Sequence, residues 1–125
     1  MIYETGLDRV AANHVPLSPL GLLQRAAHVF PETTAYVHGP LRRNYAEFYA
    51  RCRRLASALC KLGIGPGDTV SIMAPNVPPM LEAHYGVPMM GALLNALNIR
   101  LDAATIAFTL EHAETKLLLT DREFA

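Results

Sequence analysis

The 125-residue sequence has no surplus charge of either sign, since eleven basic residues stand against eleven acidic ones. Proteins that grip nucleic acid by its phosphates carry a basic excess, so that class of partner is excluded. The one basic cluster, Arg51, Arg53, Arg54 and Lys61, lies on a predicted helix and reads as a solvated face. Cysteine is scarce: Cys52 and Cys60 fall on that same helix, eight residues apart. At 1.5 Å rise per residue they stand roughly 12 Å apart, too far for a disulfide. They read as reduced, half-buried core residues, which points to the cytoplasm. The opening Met1-Ile2-Tyr3-Glu4-Thr5 lacks the basic start and apolar run of a secretory signal. No stretch reaches the ~18 uninterrupted apolar residues that a membrane span requires.

The familiar chemical motifs are missing as well. His14, His28, His38, His84 and His112 show no metal-ligand spacing, and Glu82 and His84, two apart on a helix, point in different directions. Gly63-Ile64-Gly65-Pro66-Gly67-Asp68 looks like a phosphate loop, but it follows a helix and precedes a strand. Phosphate cradles need the opposite order, and Pro66 removes a donor, so the segment reads as a helix stop and a tight turn. No metal site and no catalytic residue is assigned.

What is present is apolar. Hydrophobic residues make up 51% of the sequence and charged ones 18%, with a mean hydropathy of +0.18. That balance suggests a surface that packs against more protein. Residues 1–17 carry no period and read as an extended arm. Ser18-Pro19 opens a helix whose stripe is Leu20, Leu23, Ala27 and Phe30, and Pro31 stops it. A hairpin is expected from Thr33 to Asn44 across Gly39-Pro40. Asn44 and Glu47 then resemble a capping box, opening a helix with Tyr45, Phe48, Cys52, Leu55, Leu59 and Leu62 on one face. From Thr69 the pattern changes to strands over 69–74, 93–97 and 116–120, with helices over about 78–90 and 102–112 between them. Such alternation predicts an α/β fold in which a parallel βαβαβ sheet is covered on both faces. After Thr120 there is no closing helix, so residues 18–125 are expected to be a truncated part of a larger domain.

Ligands bind beyond the carboxyl ends of strands in open parallel sheets. Here those ends are Pro75-Asn76-Val77-Pro78, Asn95 to Arg100, and Thr120-Asp121. Arg100 is the most suggestive residue, a forked cation suited to carboxylate or phosphate. A structural salt bridge to Asp102 or Asp121 is the competing reading, and the sequence leaves the two level.

The run Gly91 to Asp102, followed by Ile106, Leu110-Glu111-His112-Ala113-Glu114 and Lys116 to Asp121, resembles the early core of acyl-adenylate-forming, AMP-binding enzymes. Asn44-Tyr45-Ala46-Glu47-Phe48, Gly65-Pro66-Gly67-Asp68-Thr69-Val70 and Pro75-Asn76 resemble earlier motifs of that superfamily in the same order. Tyr3 to Asp8, Ala11 to Leu17 and Asn98-Ile99-Arg100-Leu101-Asp102 are similar to the medium-chain and methylmercaptopropionate-CoA ligases. The resemblance implies the N-terminal segment of a ligase that uses ATP, Mg2+ and CoA to convert a carboxylic acid, through acyl-AMP, into acyl-CoA. It also implies a missing C-terminal remainder that carries the catalytic groups, and places Arg100 near the phosphates of CoA. A homo-oligomer stays open. The competing function is a stand-alone small α/β binding or regulatory module without catalysis.

Overall fold

The computed structural model describes residues 5, 6 and 8–124. Of the arm expected over 1–17, residues 1–4 and 7 therefore lie outside the described residues, and 8–17 form neither helix nor strand. The elements are α1 (Pro19–Val29), β1 (Thr34–His38), β2 (Leu41–Asn44), α2 (Tyr45–Lys61), β3 (Thr69–Met73), α3 (Pro78–Gly86), β4 (Leu93–Ala96), α4 (Ala103–His112) and β5 (Thr115–Thr120). Short 3-10 turns at Pro88–Met90 and Arg122–Phe124 complete them.

Local chemistry sets the helix starts. Ser18 Oγ accepts from the Leu20 amide at 3.2 Å, with Pro19 in the first turn where a missing N–H costs nothing. Asn44 Oδ1 accepts from the Glu47 amide at 2.8 Å while Glu47 Oε2 accepts from the Asn44 amide at 3.1 Å, the reciprocal box that opens α2. Pro88 explains why the helix expected to reach Met90 ends at Gly86. A proline there has no N–H for the preceding turn, and the chain tightens into the Pro88–Met90 turn instead.

β1 and β2 pair antiparallel, with a register irregularity between Thr34 and Tyr36. The other three strands form a parallel sheet in the order β4-β3-β5, with Ser71 opposite Asn95 on one side and Leu118 on the other. Val70 and Ile72 turn one face of β3 into a core with Leu59, Ile64, Ala83 and Val87. A second cluster, Leu23, Phe48 and Cys52, ties α1 and the hairpin to α2. There the Phe48 ring meets Tyr36 and Tyr85 edge-on, at 5.4 and 5.3 Å between centroids. α2 and α3 approach closely at Gly86, where a Cβ would stand 2.9 Å from the Cys52 carbonyl oxygen. Only glycine fits that crossing.

Several expectations are corrected. Cys52 is buried but Cys60 is exposed, because eight residues advance a helix by about 80° past two full turns. Phe30 and Leu62, placed at the ends of two apolar stripes, are 54% and 65% exposed: each lies beyond the last helical residue, where the stripe no longer faces its partner. The second face of the sheet is not wholly apolar, since Ser71 and Asn95 lie there beside Met73, Leu93 and Leu118. Ser71 is buried there, with its hydroxyl 2.7 Å from Thr115 Oγ1 and accepting from Asn95 Nδ2 at 3.0 Å. α4 packs against β5 yet contributes no buried residue.

Candidate functional site

The three strand ends meet at one edge, and backbone hydrogen bonds beyond the strands hold their loops together. The Leu97 amide donates to the Ile72 carbonyl at 2.9 Å, and the Asp121 amide to the Met73 carbonyl at 3.1 Å. Arg100 stands exposed on the turn after β4. Its own amide donates to Asn98 Oδ1 at 3.0 Å, a side-chain turn that fixes the backbone and leaves the guanidinium to solvent.

Neither expected carboxylate pairs with Arg100. Asp102 accepts from the Thr105 amide at 3.0 Å and from the Thr105 hydroxyl at 2.7 Å, and so caps α4. The Thr105 hydroxyl, with its amide, holds the Asp102 carboxyl below its ordinary pKa. Asp121 accepts from the Glu123 amide at 3.2 Å. Among the described residues the ion pairs are Arg43–Glu47, Arg51–Glu82 and Lys116–Asp68. The salt-bridge reading of Arg100 is therefore not realised in this structure.

The glycine-rich loop before β3 is closed by its own side chain. Asp68 Oδ2 accepts from the Gly65 amide at 2.9 Å, and its other oxygen pairs with Lys116. That Lys116 bond lowers the Asp68 pKa, and the Gly65 amide, the donor a phosphate would need, is already occupied. Among the described residues no three His, Cys, Asp or Glu side chains gather to hold a metal ion.

The sequence reading missed the polar centre of the molecule. Glu82 is 5% exposed. It accepts from the Tyr36 hydroxyl at 2.8 Å and pairs with Arg51 through Nε and, at 3.0 Å, Nη2. Arg51 therefore leaves the solvated face assigned to it, because a buried carboxylate needs a cation more than the cation needs water. Burial, reinforced by the hydrogen bond to Glu82, pushes the Tyr36 hydroxyl up to about 12. Burial likewise pushes the Cys52 thiol up to about 12, which makes it a core residue and a poor nucleophile. One signal in the sequence marked Glu82: it is the lone acid of α3, set between Leu81 and Ala83.

Glu82 and Arg51 line a cavity of about 510 Å³ between α2, α3 and the end of β5. A second cavity, of about 580 Å³, lies between the hairpin and α3, with Tyr36 and Val77 in its wall.

The profile of a family described as "AMP-binding enzyme" matches residues 23–125. The peroxisomal acetate/butyrate–CoA ligase of Arabidopsis thaliana is 51% identical over 118 residues, which is 94% of this chain and 21% of that protein. Among solved structures, a fatty acyl CoA synthetase of Mycobacterium tuberculosis superposes with a TM-score of 0.82 at 31% identity, covering 85% of this chain and 22% of that one. The O-succinylbenzoate coenzyme A synthetase of Bacillus subtilis, solved with ATP and magnesium ion, gives 0.79 at 29% identity, covering 82% and 28%. The chain thus spans about a fifth of the length of the curated relatives it matches.

Proposed function

The chain belongs to the AMP-binding enzyme family, and from that premise we propose that it is the N-terminal scaffold of an ATP-dependent, AMP-forming acyl-CoA ligase. In the proposed reaction a carboxylate oxygen attacks the α-phosphorus of ATP, and the bond to pyrophosphate breaks. A CoA thiolate then attacks the acyl carbon of the acyl-AMP and releases AMP. The observation that carries this reading is the 51% identity to a protein named for ligating acetate and butyrate to CoA. The same name supports a short- or medium-chain carboxylic acid as the substrate.

ATP and Mg2+ fit the family and the ATP- and magnesium-bound relative. The glycine-rich loop is plugged by Asp68, and no cluster of metal ligands is present among the described residues. The chain's own part is architectural: it builds the sheet edge and presents Arg100 from it. With no carboxylate partner among the described residues, that guanidinium is suited to a phosphate of the CoA nucleotide. Two unpaired cysteines fit a reducing compartment, as the cytoplasmic reading needs.

The test is pyrophosphate exchange into ATP by the longer polypeptide that carries this sequence. Exchange that depends on an added short- or medium-chain carboxylate supports the reading; exchange indifferent to every carboxylate ends it. In the same protein Arg100→Ala should raise KM for CoA about tenfold, as loss of one charge-assisted contact would, and leave pyrophosphate exchange intact. An equal fall in both half-reactions would make Arg100 structural.

A further inference from the structure

The zero net charge conceals a division. Residues 69–125 carry six acidic and three basic side chains, whereas α1 and α2 together carry five basic ones and a single acid, Glu47. Glu47 is engaged by the Asn44 amide and Arg43, and Arg51 is engaged by Glu82. Arg25, Arg53 and Lys61 are exposed and have no carboxylate partner among the described residues. Arg54 is unpaired too, but it shares a cavity rim with Asp121, which offsets it in part. Glu32, three residues past α1, accepts from Asn44 Nδ2 at 3.4 Å. The two helices pack together, and a hollow of about 660 Å³ opens between them, lined by Arg25 and His28 from α1 and Tyr49 from α2. The Arg53 guanidinium stands 5.8 Å from the centroid of the Tyr49 ring, so cations of both helices flank one hollow. Leu22, Arg25 and Val29 fall at i, i+3 and i+7 and share the outer face of α1, turned away from the buried Leu23. On that face Leu22 is 62% and Val29 47% exposed.

We propose that the α1–α2 layer docks on an anionic lipid surface, with Arg25, Arg53 and Lys61 on headgroup phosphates and Leu22 and Val29 entering the interface beside them. Unpaired cations next to outward apolar side chains are the combination that such a surface attracts. A nucleic acid would match the charge but give Leu22 and Val29 no apolar medium. The Tyr49 ring on which a base would stack is already covered by Arg53. A second copy joined through the same face would set like charges together. No helix among the described residues is long and apolar enough to cross a membrane, so the contact is peripheral.

The test is flotation of the longer polypeptide with vesicles of phosphatidylcholine alone or of an equal mixture with phosphatidylglycerol. Binding to the anionic vesicles should be at least about tenfold tighter than to the neutral ones, and added salt should weaken it. Arg25→Gln and Arg53→Gln should each weaken it about fivefold, the effect of one cation near a charged surface. Leu22→Gln should also weaken it about fivefold, because an apolar side chain is withdrawn from the interface. Arg100→Gln removes the same charge from the sheet edge, outside the α1–α2 layer, and should change binding less than about twofold. All four side chains are exposed, so each variant should melt with the parent. Equal binding to both kinds of vesicle, or to neither, would overturn the proposal. Equal losses from Arg25→Gln and Arg100→Gln would overturn it too, since net charge and not this face would then be acting. An unaffected Leu22→Gln variant, or tighter binding to an RNA homopolymer than to the anionic vesicles, would assign the face to a polyanion in solution and overturn it as well.

Discussion

α2 and α4 are both well capped and both carry apolar residues at helical spacing, yet they end in opposite states. α2 buries Phe48, Cys52 and Leu59 against α1, the hairpin, α3 and the sheet. α4 is capped by Asp102 through two hydrogen bonds, but it buries nothing, and Phe108 on it is 64% exposed. Capping and periodicity decide where a helix forms; the stability it contributes depends on what its face meets. The face of α2 finds burying partners within this chain, while α4 meets β5 with Ile106 and Leu110 only partly covered.

The sharpest way to break the comparison is to truncate one side chain on each helix. Leu59→Ala removes a side chain 1% exposed and should destabilise the fold by about 2–5 kcal/mol in denaturant melts. Phe108→Ala should change it by less than about 0.5 kcal/mol in this chain, because little surface is lost from contact. Comparable losses from the two would refute the contrast. Next in size is Gly86→Ala, whose new methyl would meet the Cys52 carbonyl oxygen and Leu55 Cδ2, each at 2.9 Å. Forcing α2 and α3 apart should cost about 1–3 kcal/mol. A neutral result would mean that the crossing is looser than described.

The smallest effect separates the helices by pH. The Asp102 carboxyl is held below its usual pKa in the folded chain, mainly by the Thr105 hydroxyl. Its contribution is therefore complete above the unfolded value of about 3.9 and fades as pH falls through the depressed folded value. Asp102→Asn keeps a capping oxygen without the charge and should flatten that acid limb of the stability curve. An acid limb that survives the substitution would assign the pH dependence to other carboxylates.

Much of this architecture was legible in the sequence because local rules write it. Ser18-Pro19, Asn44 with Glu47, and Asp102 each mark a helix start, and the alternation after Thr69 specifies a parallel sheet. The polar features were not legible, since they depend on residues far apart in the chain. Arg51, Tyr36 and Glu82 meet across three elements, with 31 and 46 residues separating the pairs. Ser71 looked like part of an apolar strand until Thr115 and Asn95 were brought beside it. The edge where the three strand ends meet was legible as a place, because topology alone locates it. Whether Arg100 stood free was not, since that turned on where Asp102 and Asp121 spent their carboxylates.

The central claim is that this chain is scaffold and that the chemistry lies outside its 125 residues. The direct measurement is ATP–pyrophosphate exchange by the isolated 125-residue chain, beside the longer polypeptide, across a series of short- and medium-chain carboxylates. The account predicts carboxylate-dependent exchange by the longer polypeptide and none above background by the isolated chain. Carboxylate-dependent exchange by the isolated chain would contradict it.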